Sequence, residues 1–123
     1  MNLIKPFLIL ELNYGSRQAE IEVLKQLTKI PFLSVKGSYK GTTNNAYLFP
    51  LTSSHGSEAE DLIEIARMYQ QESVLIVDAN GLGSLYFIKD NNEVLLGKWV
   101  ETVEPITKLE AYTQINNQTF VVR

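Results

Sequence analysis

The chain has 123 residues, of which 45% are hydrophobic, 20% charged and 10% aromatic. This length predicts a single domain over residues 1–123 with one modest core, and this composition excludes intrinsic disorder. The absence of cysteine excludes disulfides, thiolate chemistry and cysteine-ligated zinc. The formal net charge of -3 has the wrong sign for a simple nucleic-acid binder.

The apolar run near the N-terminus is interrupted by Lys5-Pro6 and ends at Glu11. A membrane-spanning helix needs about 18 consecutive apolar residues, and a signal peptide needs a basic start and a cleavage site of small residues. Neither pattern is present. We therefore expect a cytoplasmic protein that makes no contact with a membrane.

Hydrophobic periodicity predicts eight strands and two helices. In chain order these are strand 5–12, helix 16–29, strands 32–39 and 46–51, helix 57–70, and strands 73–78, 82–89, 93–100, 109–115 and 118–122. Ser16 is placed to N-cap the first helix, and Ser57 and Glu60 form a capping box for the second. The polar stretch 40–45 is predicted to be a loop.

This order of elements predicts an α+β fold. Because short connections favour antiparallel pairing, we expect a mixed or antiparallel twisted sheet, with both helices packed on one face and a C-terminal β-meander and hairpin. The solvated face of the first helix is predicted to carry Glu20, Glu22, Lys25 and Lys29. The predicted core contains Phe7, Ile9, Leu24, Leu27, Leu62, Ala66, Val74 and Ile76.

His55 is the only histidine and directly follows two serines, Ser53 and Ser54. Adjacent loop residues rarely adopt the geometry of a nucleophile and its base, and a third group would be needed to orient the imidazole. We therefore expect a solvated loop histidine and no histidine-based zinc site.

Carboxylates are concentrated in the second predicted helix and next to the strand that follows it. Residues three or four apart share a helix face, so pairs of these carboxylates could bind Mg²⁺ together with Asp78 at the strand end. The helix macrodipole also favours acids in a first turn, and aspartate commonly begins a turn. We predict no metal and no cofactor. The acids in question are Glu58, Glu60, Asp61, Glu64 and Glu72.

The segment Gly37-Ser38-Tyr39-Lys40-Gly41 places a tyrosine and a lysine between two glycines. Glycine lets a backbone approach a ligand closely, and tyrosine combines a flat apolar face with a polar tip. We predict that Lys36, Tyr39, Lys40 and Tyr47 bind a partner. The alternative is an ordinary hairpin whose lysines serve solubility.

Three segments, 37–41, 69–78 and 96–99, resemble small bacteriophage and bacterial proteins that form a family of unknown function. The resemblance extends from the first strand to Trp99. It departs from the family pattern after the Gly-Tyr-Lys-Gly turn, where an acid is expected and this chain has Thr42-Thr43-Asn44-Asn45. The resemblance implies a phage or mobile-element protein that acts on a host component.

No catalytic constellation stands out in the sequence. The prediction is therefore a small non-enzymatic binding protein, a phage or mobile-element modulator or inhibitor of a host protein or complex. Nucleic-acid binding through Lys36 and Lys40 is possible but not favoured. The alternative is a small metal-dependent enzyme that acts on nucleic acid or phosphate esters through Asp78 and the helix carboxylates.

Overall fold

The computed structural model describes residues 5–123, so the first four residues of the N-terminal segment lie outside the described residues. It contains eight strands, two α-helices and one short 3-10 helix at Ile106–Lys108. The strands and helices are β1 (Phe7–Leu10), α1 (Arg17–Leu27), β2 (Leu33–Tyr39), β3 (Thr42–Pro50), α2 (Ser57–Met68), β4 (Ser73–Val77), β5 (Leu82–Phe87), β6 (Asn92–Thr102), β7 (Ala111–Ile115) and β8 (Gln118–Val122).

The eight strands close into a barrel in the order β1-β3-β2-β7-β8-β6-β5-β4, and β4 pairs back with β1. Every neighbouring pair is antiparallel. The predicted twisted sheet with both helices packed on one face is therefore wrong, because the sheet is a closed barrel. Closure depends on the β2–β7 and β6–β8 pairs, which satisfy edges that an open sheet would leave unpaired.

β1 separates two apolar cores. Its residues Phe7 and Ile9 belong to a cluster that fills the barrel, where Phe7 meets Trp99 edge to face at 5.1 Å between ring centroids. Leu8 and Leu10 belong to a second cluster, which also contains the buried faces of both helices. β1 is thus buried on both faces, as its continuous apolar run predicts.

The two helices begin differently from each other. Ser16 N-caps α1 by accepting a hydrogen bond from the Ala19 N–H at 3.2 Å, which confirms the prediction. The predicted capping box of α2 is wrong, because Gly56 occupies the N-cap position and Ser57 is already helical. Glu58 instead accepts the backbone N–H of Thr52 at 2.7 Å.

Two further local predictions need correction. Leu27 is 40% exposed and lies outside the core, whereas the other seven predicted core residues are buried. The segment 40–45 is not a loop, since β3 already begins at Thr42. The reversal is confined to Lys40 and Gly41, whose φ angles of 49° and 86° suit a tight hairpin turn. Among residues 5–123, no helix has the length and apolarity needed to cross a membrane.

Candidate active site

A buried polar cluster lies where β1 ends and α1 begins. Glu20 of α1 is only 2% exposed, and its Oε1 accepts a 2.7 Å hydrogen bond from the Tyr47 phenol of β3. Its Oε2 accepts the backbone N–H groups of Tyr14 at 2.9 Å and Gly15 at 3.4 Å. One carboxylate therefore holds the helix, the strand and the connecting loop together.

The local sequence makes this arrangement possible. Asn13 adopts a left-handed φ of 49°, which asparagine tolerates better than most residues, and the chain can turn from β1 into α1. Ser16 then starts the helix, and Glu20 follows one turn later on the face that also carries buried Leu24. On the barrel side, Tyr47 lies opposite Leu10 in the β1–β3 register.

Tyr47 is fully buried within the protein. Burial, together with the hydrogen bond to Glu20 and the negative charge of that carboxylate, holds the pKa of the Tyr47 phenol well above its usual range. Arg17 partly offsets this effect from its position over the tyrosine ring, 6.0 Å from the ring centroid. The phenol therefore acts as a hydrogen-bond donor at any physiological pH.

Glu11 follows β1 directly and is half-buried. A Cβ at Gly37 of β2 would lie 3.1 Å from its Oε1, so the glycine leaves the space that this carboxyl occupies. Burial raises the pKa of Glu11, the Asn44 side chain lowers it again in part, and the nearby charge of Glu20 raises it further. Within residues 5–123, no basic side chain forms an ion pair with Glu11.

Arg17 supplies the positive charge at this end of the barrel. One of its terminal nitrogens donates to the Val35 carbonyl at 3.1 Å and to the Asn45 side-chain oxygen at 3.0 Å. In the described part of the chain, its other guanidinium N–H groups have no acceptor, which leaves them free for a carboxylate ligand. We call Glu11, Arg17, Glu20, Asn44 and Tyr47 the barrel-end cluster. Glu11 shares the barrel side of the sheet with Ala46, whereas Glu20 and Tyr47 meet on the helix side.

Comparison with protein families identifies the group to which the chain is related. Residues 12–123, nearly the whole chain, match the S-adenosylmethionine lyase family. The chain belongs to this family. The barrel-end cluster lies almost entirely within the matched region, since only Glu11 precedes it. No curated protein matches the chain.

Membership of the S-adenosylmethionine lyase family corrects the functional predictions. A lyase family indicates an enzyme, so the predicted non-enzymatic binding protein and host-protein inhibitor are wrong. The match shows membership of a family, but it does not show the bacteriophage origin or the unknown function that the resemblance implied.

The metal-dependent alternative finds no support either. Among residues 5–123, no group of three or more histidines or acids is arranged to hold a metal ion. Asp78 accepts the backbone N–H groups of Asn80 and Leu82, both at 2.9 Å, and so stabilises the turn after β4. This agrees with the alternative interpretation of the sequence, in which Asp78 begins a turn.

The four residues predicted to bind a partner occupy different environments. Tyr39 is 58% exposed, and the Lys40 ammonium lies 5.2 Å from its ring centroid and 4.0 Å from the Glu110 carboxylate. Lys36 is exposed on the same strand as Tyr39, β2. Tyr47 is buried and belongs to the barrel-end cluster. A partner surface formed by the three exposed residues stays a prediction.

Sequence reasoning missed four members of the barrel-end cluster: Glu11, Arg17, Glu20 and Asn44. The prediction that Glu20 lies on a solvated face is wrong, because this residue is buried. One signal could have revealed it, since Glu20 precedes the core residue Leu24 by four positions and shares its helix face. Nothing comparable marks Glu11, whose environment depends on Gly37 and Asn44 from other strands.

Proposed function

We propose that the protein is a lyase that breaks a carbon–sulfur bond of S-adenosylmethionine at the barrel-end cluster. The observation that carries this proposal is the family match over residues 12–123. A lyase uses neither water nor an oxidant. The electron pair of the broken bond returns to the sulfonium sulfur, which becomes a neutral thioether. The carbon that leaves the sulfur forms its new bond within the substrate. It either becomes part of a double bond as a neighbouring proton is lost, or it is attacked by an oxygen of the substrate and a ring closes.

The charges of the cluster suit the charges of the substrate. S-adenosylmethionine carries a cationic sulfonium, an ammonium and a carboxylate. Glu11 offers a half-buried carboxyl without a cationic partner in the described chain, and Arg17 offers guanidinium N–H groups toward an anion. Opposite charges interact more strongly where solvent is partly excluded. We therefore assign the ammonium side of the substrate to Glu11 and its carboxylate to Arg17.

The chemistry constrains what a carboxylate can contribute here. The sulfonium loses its positive charge as the bond breaks, so a carboxylate in direct contact with it stabilises the reactant more than the transition state. Only interactions that are stronger in the transition state raise kcat. Glu11 is therefore expected to serve mainly in binding, while partial exclusion of water favours the loss of charge from the sulfur.

The test uses the full chain with S-adenosylmethionine, and mass spectrometry to identify the products. We expect a neutral adenosyl or methyl thioether to accumulate together with a sulfur-free fragment. In water labelled with ¹⁸O, early time points should show no label in either product. Label in the first-formed products would identify a hydrolase, and a folded protein that yields no product would overturn the proposal.

Neutral S-adenosylhomocysteine provides a matched ligand without the sulfonium charge. If the negative charge of the cluster attracts the sulfonium as well as the ammonium, this ligand binds more weakly than S-adenosylmethionine, as calorimetry can measure. Equal binding would leave recognition to the ammonium and the carboxylate, which both ligands carry. A bacteriophage or mobile-element origin, a cytoplasmic location and a host partner for Lys36, Tyr39 and Lys40 stand apart from this proposal and remain predictions.

A further inference from the structure

Ser54, His55 and Glu93 form a hydrogen-bonded chain on the surface of the barrel. The Ser54 Oγ lies 2.8 Å from the His55 Nδ1, and the His55 Nε2 lies 2.8 Å from the Glu93 Oε1. The fold brings Glu93 of β6 to the loop between β3 and α2, across 38 positions of sequence. The expected solvated loop histidine is thus held between a hydroxyl and a carboxylate.

The carboxylate determines which imidazole nitrogen carries the proton. A carboxylate only accepts, so the His55 Nε2–H donates to Glu93 when the ring is neutral. The Nδ1 then has its lone pair free and accepts the Ser54 hydroxyl proton. A nucleophile, a base and a group that orients the base are therefore in hydrogen-bond contact, which is the arrangement that activates a serine.

The start of α2 lies close to Ser54 along the chain and carries backbone N–H groups outside the helix's own hydrogen bonds. The first bond of this helix runs from the Glu60 N–H to the Gly56 carbonyl, so the N–H groups of residues 57–59 precede it without an intrahelical acceptor. They follow Ser54 by only three to five positions. Backbone N–H groups of this kind can stabilise the oxyanion of a tetrahedral intermediate.

From this geometry we propose that Ser54 is the nucleophile of a second active site, which accepts acyl groups from small activated esters. The Ser54 oxygen attacks the ester carbonyl while its proton passes to the His55 Nδ1, and a carbon–oxygen bond forms. The bond to the leaving alcohol then breaks, and that alcohol takes the proton from His55. The product is an acyl-serine. This site shares no residue with the barrel-end cluster, and the proposal does not depend on the lyase function.

The test uses p-nitrophenyl acetate as the probe and the full chain as the enzyme. Release of p-nitrophenolate gives the rate, and peptide mass spectrometry locates the acetyl group. We expect acetylation at Ser54, its loss in Ser54→Ala, and a rate about 100-fold lower in His55→Gln, as for loss of a general base. Glu93→Gln should lower the rate by a smaller factor, since it acts only through the orientation of His55.

Ser53→Ala is the matched control, because Ser53 is the exposed neighbour and has no imidazole partner in the described structure. It should react as the wild type does, and urea unfolding should be alike for all four variants. Acetyl groups found on His55 instead of Ser54 would overturn the proposal. So would a Ser54 that reacts equally fast in His55→Gln or no faster than Ser53.

Discussion

The phenol of Tyr47 donates a 2.7 Å hydrogen bond to the carboxylate of Glu20, and both side chains are buried. This contact joins β3 of the barrel to the outer helix α1. Because Arg17 lies over the same tyrosine ring, the pair also positions the guanidinium that we assign to the substrate carboxylate. The Tyr47–Glu20 hydrogen bond thus helps to hold Arg17 in place at the candidate active site.

Removing this hydrogen bond should destabilise the protein. In Tyr47→Phe the buried Glu20 carboxylate keeps its two backbone donors but loses the phenol, which we expect to cost about 1–3 kcal/mol. Urea unfolding monitored by circular dichroism measures the change. Tyr39→Phe is the control, since its ring is largely exposed and its stability should equal that of the wild type. Equal stability of Tyr47→Phe and wild type would contradict the structural role of this bond.

Glu11→Gln should stabilise the protein at neutral pH. Burial raises the pKa of Glu11 above its ordinary 4.5, so the folded state binds the proton more tightly than the unfolded state. Its contribution to stability then falls as pH rises from 4.5 through the folded pKa. Glutamine does not ionise, so the variant does not lose this stability as the pH rises. Urea titrations across this range should show the advantage of the variant growing with pH and vanishing below 4.5.

The same substitution should impair substrate binding more than catalysis. If Glu11 holds the substrate cation, Glu11→Gln raises KM for S-adenosylmethionine and changes kcat much less. The wild-type KM should also fall as pH rises through the folded pKa of Glu11, because only the ionised carboxyl attracts a cation. Glu22→Gln is the matched control on the exposed side of α1. A loss confined to kcat would reassign Glu11 to the chemical step.

Two serines at helix starts should respond differently to the same change. Ser16→Ala removes the hydrogen bond to the Ala19 N–H and should cost about 0.5–2 kcal/mol. Ser57→Ala should cost less than about 0.5 kcal/mol, because Gly56 and not Ser57 occupies the N-cap position of α2. Thermal unfolding of the two variants provides the comparison. An equal loss in both would place the start of α2 one residue later.

Local patterns in the sequence determined the number and type of the elements. Period-two and helical spacing predicted the eight strands and two α-helices in the observed order. β8 spans the predicted 118–122, whereas β3 begins at Thr42 and not at the predicted residue 46. Ser16 could be assigned as a cap because its partner lies three residues away. Element type and helix caps depend on residues a few positions apart along the chain, so they can be predicted from the sequence alone.

Only the tertiary structure decided the closed barrel and the barrel-end cluster. Closure requires pairing between strands remote in sequence, such as Lys36 with Gln114, which no local period encodes. Glu11 and Glu20 look like ordinary surface acids until Gly37 makes room for one and Tyr47 donates to the other. Burial, and with it the pKa of Glu11, arises from what surrounds a group in space, and the hydrogen bonds between distant strands create those surroundings.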